Sequence, residues 1–433
     1  MGLLLSPLFA QNDKDESNFG IKFSGFVKAD YMFDTRQTVA VREGHFLLYP
    51  KAVENDAEGK DINAVPNLNM LAIQSRLTGK ITGPDAFGAK TSGVIEGAFF
   101  GHSDGDINGF RLRHAFVKLD WGKTNLIAGQ YWHAMFVTEC FPGVISFNTG
   151  VPFQPFSRNP QLRITHSAGS LKIIGALQAQ RDFTGYYFDP VSGNKVSGSA
   201  GLRNSGIPDM QFQVHYNGLD QESGNGIYAG IGVGYKFIKP SIYTYGFDTA
   251  GNVMKYSTNE MVASYSALGF IKYKNKPITV KLEGVYGQNM TDLLMLGGYA
   301  EYGIIDTLRN TVSYTPYNIM STWLECHTNG KKIQGGLFLG YTQNLGVQDT
   351  IGGNVFARGA NIKSVMRVAP RVVFISGKVK FATEIEYTSA AYQKGDPNGT
   401  TIEDILGVDN KGVINNTETA SNIRLLLSLI YSF

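Results

Sequence analysis

Sixteen stretches of this chain alternate apolar and polar side chains with a period of two, and the connections between them alternate short and long without a break. Period two is the signature of a β-strand with unlike faces. The predicted strands, each to within three residues, lie at 20–36, 68–83, 88–101, 109–122, 125–137, 161–168, 171–184 and 209–219, then at 225–238, 262–275, 277–290, 319–331, 333–346, 361–377, 379–393 and 420–433. Connections after even-numbered strands are one to five residues long, as at 123–124, 169–170 and 332. Those after odd-numbered strands run up to the 31 residues of 37–67. A soluble sandwich has no reason to keep that beat. A transmembrane β-barrel does, because its two rims face different compartments.

Composition narrows the alternatives. No run of 18 apolar residues exists, so the chain does not cross a bilayer with helices. Charged residues make up 17% against the roughly 25% of soluble proteins. A net charge of +3 without a basic stripe argues against nucleic-acid binding. The expected fold is therefore all-β: a 16-stranded antiparallel transmembrane barrel in a bacterial outer membrane.

The ends support export. MGLLLSPLFA, residues 1–10, reads as the remnant of a secretory signal peptide with Ala10 at the cleavage point, leaving 11–433 as a single barrel domain. In the last strand Ile423, Leu425, Leu427, Leu429, Tyr431 and Phe433 share one face, and a final strand ending on an aromatic resembles the sorting signal of outer-membrane barrels. Whether Cys140 and Cys326 pair is left open by two cysteines alone.

The pleat assigns faces. On the eighth strand Met210, Phe212, Val214 and Tyr216 are expected toward lipid, and on the ninth Gly230, Gly232 and Gly234 toward the lumen, as GxGxG without a following helix. With Leu71, Ile73 and Leu77 outward, Gln74, Arg76 and Lys80 point in; with Leu112 and Phe116 outward, Arg111 and Arg113 point in. The same rule places Arg163, Lys363, Arg367, Arg371 and Arg424 in the lumen, and with them Glu96, Glu384 and Glu386. These acids are candidate ion-pair partners: Glu96 between Arg76 and Arg113, and Glu384 or Glu386 beside Arg367, Arg371 or Arg424, with Asp30 a further partner for Arg424. A cationic excess in a narrow, low-dielectric passage draws anions. Arg suits the task because its planar fork binds carboxylates bidentately and does not deprotonate.

The third long connection, TECFPGVISFNTGVPFQPFSRNP, is aromatic, proline-rich and almost uncharged. It is expected to fold into the barrel as a constriction loop, carrying Arg158 toward the strand arginines; packing over a neighbouring subunit is the alternative.

Several short motifs in residues 20–165 carry a resemblance: GFVKAD from Gly25, QSRL from Gln74, IEGAFFG from Ile95, RLRHAF from Arg111 and AGQ from Ala128. They resemble the DcaP-like porins and related porins of Bacteroidota outer membranes. The resemblance implies a 16-stranded trimeric barrel passing small anionic solutes, dicarboxylates among them. An acidic position of that family after the Glu-Gly pair is Ala98 here, which alters the constriction charge and keeps the solute's identity from carrying over.

Other chemistry finds little footing. The seven histidines show no metal spacing, no nucleophile elbow or phosphate loop is present, and no enzyme activity, metal or cofactor is implied. Loop acids such as Asp56, Asp61, Asp104 and Asp106 read as solvated. Asp248-Thr249-Ala250, Asp306-Thr307-Leu308 and Asp349-Thr350-Ile351 match a short glycosylation triplet. The expected function is passive diffusion of small anions through an arginine-rich eyelet in a homotrimer, with membrane lipid and lipopolysaccharide as neighbours. The rival is a structural protein or adhesin that displays its long loops.

Overall fold

A computed structural model describes residues 19–189 and 194–433; the signal-peptide reading of 1–10 lies outside them. The barrel strands are β1 (Gly20–Asp34), β2 (Asn67–Leu71 continued by Arg76–Thr82), β3 (Lys90–Ala98), β4 (Arg111–Asp120), β5 (Thr124–Trp132), β6 (Arg158–Ala168), β7 (Leu171–Gln178) and β8 (Asp209–Leu219). They continue with β9 (Gly226–Ile238), β10 (Val262–Lys274), β11 (Ile278–Gln288), β12 (Asn318–Thr328), β13 (Ile333–Asn344), β14 (Ile362–Ser376), β15 (Val379–Gln393) and β16 (Thr417–Ser432). Each pairs antiparallel with its sequence neighbours, and β1 pairs with β16 from Phe26↔Ser432 to Asp34↔Arg424, closing the cylinder. Closure leaves no exposed edge.

The alternating faces follow the pleat. Phe212, Ile231, Val233, Leu425, Leu429 and Phe433 stand exposed on the outer wall. Gly232 and Gly234 face inward, where a Cβ would meet the side chains of Gln213 and Gln211. These glycines thus make room for neighbouring inward side chains.

Three departures from the expected pattern have local causes. Residues 72–75 interrupt β2 with a turn, Ser75 N–H donating to Ala72 O at 3.2 Å. That break changes the strand's phase, so Ile73 is buried inside at 3% exposure rather than facing lipid. A β-bulge between Glu96 and Gly97 of β3 and the facing β4 sets Arg113 and His114 both inward. Downstream of it the alternation is inverted, so Phe116 lines the lumen and Val117 faces out, contrary to expectation. Finally, β7 ends at Gln178, six residues short of the reading, because Asp182 turns away to meet two arginines.

Loops at the long-loop rim carry small hairpins of their own, such as Thr38–Val41 with Phe46–Pro50. Gly297–Asp306, Thr311–Pro316 and Val355–Arg358 join the sixth and seventh loops in one small sheet.

Candidate pore constriction

After Trp132 the chain leaves the wall and crosses the lumen as loop 3, residues 133–157. His133 marks the departure, its Nε2 3.0 Å from Asp209 on β8. The loop's apolar residues, among them Met135, Phe136, Val151, Phe153 and Phe156, are almost fully buried. An aromatic, nearly uncharged loop gains by leaving water for such a site. Cys140 lies within it as a free thiol, pushed up to about 12 by burial, and Cys326 is free as well.

The far wall holds the loop by polar groups. Glu384 of β15 accepts the backbone N–H groups of Ile145 (2.8 Å) and Ser146 (3.0 Å), and Glu386 accepts Asn148 Nδ2 at 3.2 Å. Lys28 of β1 donates to Ile145 O at 2.7 Å, and Ser321 of β12 to Phe153 O at 2.9 Å. Arg367 of β14 donates to Val151 O at 2.8 Å and to Leu47 O and Leu48 O at 3.0 and 3.1 Å.

Those last carbonyls belong to loop 1, which also folds inward. Phe46 packs edge-on against Phe147 with ring centroids 4.6 Å apart, and Phe100 stacks on Phe147 at 4.0 Å. His45, 1% exposed, sits beside Phe100; burial, with Lys28 and Arg424 nearby, pushes it down to about 3, so it is neutral despite lying 3.9 Å from Asp30. A third segment, Met290 to Leu296, is buried in the same cluster. Only loop 3 was expected inside. The runs FLLYP in loop 1 and LLML at 293–296 were the available signals, being too apolar for water-exposed loops.

The expected lumen arginines are all inward but fall into two sets. On β14 and β16 they are tied down. Arg371 pairs with Glu325 of β12, which Lys281 also meets at 3.3 Å. Arg424 grips Asp34 with a two-pronged contact, Nε to Oδ1 at 2.9 Å and Nη2 to Oδ2 at 2.6 Å, and donates to Gly44 O at 2.7 Å. Its partner is therefore Asp34, four residues nearer the loop rim than the Asp30 expected. Asp30 instead accepts Ser428 Oγ and lies 3.2 Å from Lys28. Nor does Glu384 or Glu386 lie within ion-pair distance of Arg367, Arg371 or Arg424; both Glu384 oxygens and one of Glu386 accept from loop 3, and the second Glu386 oxygen has no hydrogen-bond partner.

The second set climbs β2, β4 and β6. Glu96 meets Arg113 at 2.8 Å and Arg76 at 3.5 Å, so one carboxylate serves two cations, as expected. Asp182 pairs with both Arg111 and Arg158, the latter at 2.6 Å. Arg158 lies over the Trp132 ring at 5.0 Å and Arg113 over Phe147 at 5.7 Å. Arg163 donates to Trp132 O at 2.6 Å and, among the described residues, has no carboxylate within ion-pair distance. On the turn side of loop 3 a cavity of about 330 Å³ opens beside Arg163, Lys118, Lys172 and Glu139.

Buried charged side chains among the described residues come to eleven Arg or Lys against nine Asp or Glu. The cationic excess is thus small overall and larger along the β2 to β6 wall, where Glu96, Asp182 and, from loop 3, Glu139 face five arginines. No group of His, Cys, Asp and Glu arranged to hold a metal occurs among the described residues.

A closed sixteen-stranded barrel with short turns at one rim, long loops at the other and one loop crossing the lumen is a porin fold. The chain is similar to the outer membrane channel DcaP of Acinetobacter baumannii, at TM-score 0.63 and 14% identity, with 96% of this chain and 98% of that one covered. It is also similar to the trimer form of the Vibrio cholerae outer membrane protein OmpT (TM-score 0.53, 11% identity, coverage 96% and 99%). The anion-selective porin from Comamonas acidovorans gives 0.52 at 10% identity, with coverage of 96% and 100%. No protein-family model matches the chain, and no curated protein matches it by sequence.

Proposed function

We propose that this protein is a bacterial outer-membrane porin, a homotrimer that passes small hydrophilic anions down their gradient along the β2, β4 and β6 wall. The observation that carries the reading is the arginine ladder itself: five guanidinium groups against Glu96, Asp182 and Glu139, continuing past loop 3 into a cavity where Arg163, Lys118 and Lys172 outnumber Glu139. A field focused by low-dielectric walls attracts anions and repels cations. An anion-selective porin and a trimer form among the similar folds support the same reading, and the DcaP-like and Bacteroidota motifs of the N-terminal third agree with it.

Planar-bilayer recording tests it: reconstituted protein should show stepwise openings with anion preference. The packing of loops 1 and 3 and the segment at 290–296 into the lumen favours one rival, a barrel that serves to display its remaining loops. For that protein the bilayer stays silent.

A further inference from the structure

The barrel wall is interrupted between β4 and β5. Their ladder runs from Asp120↔Asn125 to Ala115↔Gln130 and stops. Yet β4 continues beside β3 as far as Arg111, and β5 beside β6 as far as Trp132. The strands part because β5 is turning into loop 3 while the bulge at Arg113 and His114 bends β4. Gln130 patches the seam, its Nε2 donating to Arg113 O at 2.9 Å and to Leu112 O at 3.4 Å. A cavity of about 330 Å³ lies there, lined by lipid-facing Leu112 and Gln130 together with inward Arg111 and Asp182. Residues of both faces line this one cavity because the two strands have parted at the loop rim.

The opening is cationic. Arg42 of loop 1 and Arg181 of loop 4 join Arg111 around it, against the carboxylate of Asp182 that Arg111 and Arg158 already share. Arg42 is only 7% exposed, yet its Nε has no hydrogen-bond partner, and among the described residues no carboxylate lies within ion-pair distance of it. Asp104 and Asp106 act on it from farther away, their oxygens accepting the N–H groups of Glu43 and His102, each at 3.2 Å. The backbone at Arg42 and Glu43 is held at φ of 57° and 48°, a left-handed conformation that non-glycine residues adopt only at a cost. Next to this notch the outer wall is apolar: Phe99 and Phe110, both exposed, pack with centroids 5.1 Å apart.

We propose that the seam binds the phosphorylated headgroup of a membrane lipid, the phosphate entering between Arg42, Arg111 and Arg181 and the acyl chains lying on Phe99, Phe110 and Leu112. This rests on the membrane location in the reading above. Guanidinium groups bind phosphate through paired, charge-assisted hydrogen bonds, and the apolar skirt selects an amphiphile over a free anion. A carboxylate from a second copy is the competing occupant, disfavoured by that skirt.

The test titrates the full-length protein, folded in detergent, with dioctanoyl phosphatidic acid, dioctanoyl phosphatidylcholine and inorganic phosphate, read by native mass spectrometry. Phosphatidic acid is expected to bind about ten-fold or more tightly than either alternative, and Arg42→Gln with Arg181→Gln to weaken it by about ten-fold. Both side chains belong to loops outside the barrel strands and neither makes an ion pair among the described residues, so conductance and heat-modifiability of the double variant should match wild type. Unchanged phosphatidic acid affinity in the double variant overturns the proposal. So does inorganic phosphate binding as tightly as the lipid, or loss of the oligomer in the double variant. A wild type that is silent in the bilayer but keeps the lipid preference supports the seam site and removes only the porin reading.

Discussion

Arg367, Arg371 and Arg424 on β14 and β16 point into the same lumen as Arg76, Arg113 and Arg163 on β2, β4 and β6, but the two walls use the residue differently. On the first wall each guanidinium is spent on a carbonyl of an inward loop or on a carboxylate that serves no other arginine, as Arg424 is on Asp34. On the second, Glu96 must serve two arginines, and Arg163 has no carboxylate within ion-pair distance among the described residues, Glu139 acting on it from farther away. Arginine type and inward facing therefore do not define an eyelet; the ratio of cations to acids on one wall does. The first wall is a scaffold for loops 1 and 3. The second is left with an excess of charge beside a cavity of about 330 Å³, the arrangement the proposed selectivity needs.

Breaking the scaffold should have the largest effect. Arg424→Met strands Asp34 in a dry site, and losing one partner of a buried pair costs about 3–5 kcal/mol. The heat or urea midpoint of the barrel-to-unfolded shift on a cold gel should fall accordingly, and Arg367→Met should behave alike while adding conductance noise as loops 1 and 3 loosen. Little change in midpoint for both would erase the distinction between the walls.

Acid should loosen the same scaffold through His45. Its folded pKa, about 3, lies below the ordinary 6.5. The neutral form therefore contributes stability that is full above pH 6.5 and declines as pH falls toward 3, by about 2 kcal/mol at pH 5. Amide exchange in residues 38–50 should quicken over that window, and His45→Phe should flatten the response. Glu384→Gln is a milder break. It replaces one acceptor oxygen with an amide that cannot receive the Ile145 or Ser146 N–H, costing about 1.5 kcal/mol, visible as faster exchange at 145 and 146. The smallest stability effect belongs to the other wall: Arg163→Gln can still donate to Trp132 O and should cost about 1 kcal/mol or less, while lowering anion preference.

Much of this was legible along the chain. The bounds Asp209–Leu219 and Val379–Gln393 coincide with the predicted strands because a lipid-facing wall enforces strict alternation. What alternation cannot register is a shift of phase, so the bulge at Arg113 and His114 and the break at 72–75 misplaced Phe116 and Ile73. Arginine positions were readable from the pleat, but their partners were not. Asp34, Asp182 and Glu325 become neighbours only through barrel closure, a returning loop and register across strands. Ile145 and Ser146 as ligands of Glu384 had no sequence signal, since backbone N–H groups carry none. The inward course of loop 1 had one, the FLLYP run.

The central claim is that selectivity resides on the β2 to β6 wall, and reversal potential across a bilayer in a salt gradient measures it directly. Wild type is expected to reverse on the anion-preferring side. Arg76→Ala with Arg113→Ala, which leaves Glu96 unopposed, should carry the reversal toward or past zero, whereas Arg371→Met should leave its sign in place. A wild-type potential at or beyond zero toward cations, or one that Arg76→Ala with Arg113→Ala does not move, would contradict the account.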